Sequence, residues 1–355
     1  MDENSYLARN AGPLNGSIFC IGLNSAEGVL MKFIAAAIVS TTAMLSTTSP
    51  LLAEEAGTGH YVPGLIASAV DKGSEATAFT VRVNGIYYSG ENTQNIAVPM
   101  AGFSNLGYTV SNVDRTMERV DLGLGWRPDW GGDGPWSYSI EAILPYVSLD
   151  IEADVKNNGD GTSRRYKDSD SGLGDVIFIP VHMVYASGSL WSTDLRFAIY
   201  VPTGDFEEGK VANVGKNYWT VEPTIGFIYL NPHTGNEFDV YLGADFNKKN
   251  MDTDYQTGTQ VHLESSYIKH LDVWDGTLGL GVTGYWYEQV EKDSGDAAIY
   301  GDYKSMTAGA GPVVSFDHQL NNQWALTTEL KWLHEFDTTN RAEGDFVFLK
   351  GLIKY

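Results

Sequence analysis

The residues able to do chemistry in this 355-residue chain do not assemble into a familiar reactive motif. Gly279-Leu-Gly-Val-Thr-Gly284 has the glycine spacing of a dinucleotide-binding turn, which holds a pyrophosphate at a helix N-terminus. It runs directly into Tyr285-Trp-Tyr287, a strand-like stretch with no helix after it. Asp154-Val-Lys-Asn-Asn-Gly159 opens like a calcium loop, but Lys156 stands where an oxygen ligand is required and no acidic twelfth position follows, so it reads as a solvated turn. The histidines show no metal-ligand spacing, and no Gly-x-Ser-x-Gly elbow or placeable Ser-His-Asp set is present. No catalytic residue, cofactor or metal is assigned.

What does recur is charge and polarity at every second position. Arg82 and Asn84, Arg119 and Asp121, Asp194 and Arg196, Glu329 and Lys331 each sit two residues apart, and Glu141, Glu222, Asp239, Asp245 and Glu264 fall in similar contexts. On a strand, residues two apart share a face. The positions between them are apolar. Phe79, Val81, Val83, Gly85 and Tyr87 alternate with the Arg82 set, Val120, Leu122, Leu124 and Trp126 with the Arg119 set, and Trp191, Leu195, Phe197 and Ile199 with the Asp194 set. Phe238, Val240, Leu242 and Phe246 alternate with Asp239 and Asp245, and Trp324, Leu326, Leu330 and Trp332 with Glu329 and Lys331.

The elements that must carry these faces are long strands tipped by aromatic residues. Further runs near 136–149, 174–187, 217–230, 256–269, 276–288, 304–316 and 345–355 bring the count to about twelve. Strands that alternate apolar and polar over nine to eleven residues, with aromatics at their ends, fit a closed antiparallel transmembrane β-barrel, whose outer face meets lipid and whose inner face lines a lumen. The thirteen residues named above are therefore the lumen-facing candidates, expected to pair across the interior, since an unpaired buried charge is costly. His262 and His334 read as wall residues. Turn chemistry at Gly131-Gly-Asp-Gly-Pro, Asn157-Asn-Gly-Asp-Gly, Asn231-Pro-His-Thr-Gly and Asn321-Asn separates the strands. Polar stretches around 90–114, 150–173, 203–216 and 289–302 read as outward loops.

Composition agrees. Glycine (39 residues) and aromatics (9 Trp, 20 Tyr, 14 Phe) are abundant, and only 19% of residues are charged, which excludes a disordered chain. A net charge of −22 repels phosphate backbones and excludes nucleic acid as a partner. The single cysteine, Cys20, rules out a disulfide framework.

From Met31 the chain reads Met-Lys-Phe-Ile-Ala-Ala-Ala-Ile-Val, one positive charge and a short apolar run that gives way to small and hydroxylated residues. This is a secretory signal peptide over 31–53, with cleavage expected after Ala53 and residues 1–30 read as an extension upstream of the true start. The barrel is assigned to 76–355. Its last strand ends on Tyr355, with Ile353, Gly351, Leu349 and Val347 on the same face, the form of a signal for the barrel-assembly machinery. Residues 54–75 precede the first strand, and Tyr61, Val62 and Leu65 would be out of place in a free tail. This segment is expected to fold into the lumen as a short plug, with Pro63 and Gly64 turning the chain and His60 or Tyr61 meeting wall charges such as Arg82 or Arg119.

Gly59-His-Tyr-Val-Pro-Gly64, Ser171-Gly-Leu-Gly-Asp175, Tyr200-Val-Pro-Thr-Gly-Asp205, Asn217-Tyr-Trp-Thr-Val-Glu-Pro223, Asn250-Met-Asp-Thr-Asp-Tyr-Gln-Thr-Gly258 and His262-Leu-Glu264 occur in this order along most of the mature chain. Together they resemble the family of outer-membrane proteins named for the meta-pathway of phenol degradation. The resemblance implies a Gram-negative outer-membrane barrel in the broad class of long-chain fatty acid and aromatic hydrocarbon channels, without catalytic residues. The partners expected are outer-membrane lipid and small hydrophobic or aromatic solutes. A structural or adhesive barrel without transport is the alternative, and an outer-membrane hydrolase a more distant one.

Overall fold

The computed structural model describes residues 54–67, 70, 79–92, 103, 106–128, 134–188, 190–298 and 304–355. The extension over 1–30 and the signal peptide over 31–53 lie outside the described residues. Among the described residues thirteen strands follow one another: β1 (Phe79–Glu91), β2 (Tyr108–Trp126), β3 (Trp136–Asn157), β4 (Ser163–Leu173), β5 (Val176–Ser187), β6 (Trp191–Val201), β7 (Thr220–Asn231), β8 (Asn236–Asn247), β9 (Gln260–Val273), β10 (Gly276–Gln289), β11 (Met306–Gln319), β12 (Ala325–Thr339) and β13 (Glu343–Lys354). Consecutive strands pair antiparallel except β4 and β5, and β1 pairs with both β2 and β13, with Val83 opposite Leu122 on one side and Gly351 on the other. The β2–β3 pairing completes the ring. β4 and β5 both pair with β3, one on its upper and one on its lower half, and are separated only by Gly174 and Asp175. They act as one interrupted strand, so the closed barrel has twelve.

The period-two pattern sorts lipid from lumen. Val81, Val83, Leu122, Leu124, Leu242, Phe246, Leu330 and Leu349 face outward and are exposed, while Arg82, Asn84, Asp121, Asp194, Asp239 and Lys331 are buried inside. An apolar belt of this extent is costly in water and at home in hydrocarbon. At the end with the short turns, Trp136 packs on Tyr185 (4.7 Å between ring centroids), Trp191 on Tyr229 (4.9 Å) and Trp324 on Tyr355 (4.7 Å). These pairs form an interfacial girdle.

The stretch around 150–173 read as a loop is largely strand, and the one around 90–114 is strand at both its ends. Residues 108–114 belong to β2, and 150–157 and 163–173 extend β3 and β4 into a tall hairpin. The alternation inverts here. From Val147 upward, Val147, Leu149, Ile151, Ala153 and Val155 turn inward, whereas Asp150, Glu152 and Asp154 turn out. Arg165 contacts Asp114 and Lys167 contacts Glu152 (2.8 Å) on the outer face. A strand with charges outside and aliphatics inside stands above the hydrocarbon, and its polar outer residues imitate a loop in sequence.

Candidate functional site: the lumen and the N-terminal segment

The inner wall carries its charges in ladders. On the wall of β1, β3, β5 and β6, Arg82 Nη1 lies 3.5 Å from Glu141 Oε2, and His182 joins Glu141 to Asp194, with His182 Nε2 3.0 Å from Asp194 Oδ1. Arg196 completes this row, 3.9 Å from Asp194. Arg119 Nε donates to Asp121 Oδ1 at 2.6 Å along β2. On the opposite wall, Lys331 sits 3.7 Å from Glu329, and Ser266 donates to Asp239 at 3.1 Å. Asn84 is buried on β1. Glu222, Asp245 and His262 come together on β7, β8 and β9.

His182 was not among the expected residues because Pro180 breaks the alternation of β5. Its pairing with β6 slips between Phe178 and Val181, so Ile177 and Ile179 face inward before the slip and His182 after it. A proline inside a strand marks such a bulge. The two histidines read as wall residues differ in where they point. His262 is fully buried in the lumen, whereas His334 is exposed beside Asp345.

The described part of the N-terminal segment contacts this wall along its length. Its outer end lies among the long loops. The Glu54 backbone N–H donates to Asp293 Oδ2 (3.0 Å), the Glu54 carboxylate faces Arg341 (3.3 Å) and accepts from Ser305, and Asn250 donates to Glu55 (3.1 Å). Lys216 Nζ donates to the Thr58 carbonyl (2.9 Å) and hydroxyl (2.8 Å). Burial pushes the Glu55 carboxyl up to about 7 and the Lys216 ammonium down to about 7, Arg115 adding to the second shift. His60 Nδ1 lies 2.7 Å from Thr220 Oγ1, and its Nε2 lies 2.9 Å from Asp175 Oδ2. Burial lowers the His60 pKa against the opposing pull of Asp175.

Further along, Tyr61 donates its hydroxyl to Glu264 and stacks on His262, with ring centroids 3.8 Å apart. The chain then turns at Pro63-Gly64, the Leu65 N–H donating to the Val62 carbonyl at 3.2 Å. Gly64 has φ of +82°, and a Cβ there would lie 2.2 Å from Leu333 Cδ1, so glycine is needed for both conformation and space. Glu264 accepts the N–H groups of Ile66 (2.9 Å) and Ala67 (2.7 Å), while Lys331 donates to the Gly64 carbonyl (2.6 Å) and Lys350 to that of Leu65. The partners expected for His60 and Tyr61, Arg82 and Arg119, are not the ones they meet. Asp175, Thr220 and Glu264 take those places, because the segment passes nearer the long-loop end and the β7–β9 wall.

A family model described as "Putative MetA-pathway of phenol degradation" matches residues 101–351. The chain belongs to this family. Among solved structures, the phenol-degradation family member is similar to the COG4313 outer membrane channel from Pseudomonas putida F1, at 16% identity over 83% of this chain and 100% of that one, with a TM-score of 0.51. The transport unit of the autotransporter AIDA-I from Escherichia coli aligns at 10% identity over 82% and 94% of the two chains, with a TM-score of 0.46. No curated protein matches the family member at a significant level. Its fold is that of the outer-membrane barrels.

Proposed function

We propose that this barrel is a passive outer-membrane channel for small hydrophobic or aromatic compounds, with residues 54–67 acting as a plug in its lumen. One observation carries the reading. At the long-loop end the inward face of β2 and β3 is apolar, with Val110, Val113, Val147, Leu149, Ile151 and Val155 packed against Phe103 and Val211, where a water-filled porin lumen is polar. This face continues into a cavity between the segment and the wall, bounded on its apolar side by Val62, Met117, Pro145, Ile177, Tyr200 and Phe346 and on its polar side by Arg115, Arg119, Asp175, Lys216 and Arg341.

The cavity volume is about 80 Å³. A cavity that takes up benzene measures about 150 Å³. An aromatic solute therefore passes only when the segment shifts. The same apolar belt and girdle suit outer-membrane lipid, and the final strand suits the assembly machinery.

The test is planar-bilayer conductance and liposome swelling with matched panels of aromatic, aliphatic and sugar solutes, for the intact protein and for a chain lacking residues 54–70. Faster entry of aromatic solutes than of sugars, and a higher, less selective conductance after the deletion, is the expected result. A folded barrel that passes neither class with or without the segment would refute the channel reading. Unchanged conductance after the deletion would refute the plug.

A further inference from the structure

We propose that Glu222, Asp245 and His262 form a binding site for a divalent transition-metal ion of the zinc type on the inner wall of the barrel. The three residues come from the adjacent strands β7, β8 and β9, and the strand period turns all three inward. One donor atom from each lies within 4.8 Å of the other two. Glu222 is 2% exposed, and Asp245 and His262 are completely buried.

The group is short of partners in a way that points to a cation. Neither carboxylate oxygen of Asp245 has a hydrogen-bond partner, and neither has Nδ1 of His262. The closest approach, His262 Nε2 to Glu222 Oε1, is 3.4 Å. Two carboxylates brought this close inside a barrel repel one another, and a buried acceptor with no donor is costly. A doubly charged cation at their centre answers both problems. Ligand atoms around a tetrahedral zinc ion are about 3.3 Å apart, so the donor atoms, within 4.8 Å of one another, need to close by at most about 1.5 Å.

The donor set selects the class of ion. An imidazole with two carboxylates suits zinc and its neighbours in the first transition row, whereas calcium and magnesium take oxygen ligands and copper(I) takes sulfur. Outer contacts already fix the ligands. Tyr200 donates its hydroxyl to Glu222 Oε2, and Thr224 donates to Glu222 Oε1 at 3.1 Å, the kind of support that orients metal ligands. The His262 ring lies over Gly243, where a Cβ would come within 2.3 Å of Cε1 and Nε2, and its other side is covered by Tyr61. The histidine thus has a single place to lie.

The experiment measures metal on the full-length barrel, extracted from outer membranes or refolded with Zn²⁺ or Co²⁺ alone and then washed with a weak chelator. Elemental analysis should find one ion per folded chain, and the Co²⁺ form should show the visible absorption of a low-coordinate site. Both signals should disappear in Asp245→Asn and in His262→Ala. Heat-shifted migration reports which samples are folded, and the wild-type measurement stands even where a variant fails to assemble. Folded wild-type protein that holds no metal by either route would overturn the proposal, leaving a proton shared between Asp245 and Glu222. Equal metal in folded wild type and folded Asp245→Asn would overturn it as well.

Discussion

Glu264 is the inner anchor of the N-terminal segment, and Glu264→Ala should release it. The side chain is completely buried and accepts three donors from the segment, the Tyr61 hydroxyl and the N–H groups of Ile66 and Ala67. Truncation leaves three buried donors without an acceptor, at about 1–3 kcal/mol each. Even the low end sums to roughly 3 kcal/mol, which at 1.4 kcal/mol per decade is a change of at least about a hundredfold in the docking equilibrium. Amide hydrogen exchange read on a peptide spanning residues 61–67 should accelerate by that factor, and single-channel recordings should show more frequent opening. Glu264→Gln keeps one acceptor oxygen but puts an NH2 donor in place of the other, so it retains only the hydrogen bonds to one oxygen and its effect should be smaller, nearer tenfold. Exchange in Glu264→Ala at the wild-type rate would refute the reasoning, since the three hydrogen bonds would then hold nothing.

Three further outcomes are expected. Tyr355→Asp removes the ring that packs on Trp324 and places a charge in the girdle, so export should continue while the yield of heat-shifted, folded barrel falls severalfold in outer-membrane fractions. Gly243→Ala drives a methyl group into His262 and should lower barrel stability by about 1–3 kcal/mol in denaturant titration. Burial, with a smaller contribution from Asp293, holds the Glu55 carboxyl up to about 7 from an ordinary value of 4.5 against the lowering pull of Thr253, Asn250 and Lys216. A raised carboxyl contributes stability that is complete below its unfolded value and is lost as pH climbs through the folded one, so the outer end of the segment should loosen between about pH 4.5 and 7. Conductance recorded across that window should rise in wild type and rise less in Glu55→Gln.

The barrel was legible because the alternation is governed by one rule through the hydrocarbon, with Val83 out and Arg82 in on β1 as Leu330 is out and Lys331 in on β12. The rule failed where its cause changes. Above the membrane the outer residues of β3 meet water, so Asp150, Glu152 and Asp154 point out and Leu149 and Ile151 point in, and the polar run looked like a loop. Pro180 shifts parity by one and hid His182. The grouping of Glu222, Asp245 and His262 leaves no trace in local spacing, because it is made by register across β7, β8 and β9 rather than along any one strand. The turn at Pro63-Gly64 could be read from the residues themselves, but the partners of His60 and Tyr61 could not. Those depend on how far up the wall the segment lies.

Lys331 and Lys350, which hold the Gly64 and Leu65 carbonyls, belong to β12 and β13, while the segment they hold precedes β1, 267 and 285 residues away along the chain. β13 is also the strand that meets β1 to close the ring, from Thr80 opposite Lys354 to Glu91 opposite Glu343. A ring already sealed along this seam would have to be threaded by a peptide bearing Glu54, Glu55, His60 and Tyr61. A ring still open at the seam needs only to fold around it. β13 can then use residues 54–67 as its template, so that the seam zips on a barrel whose occupant is already aboard.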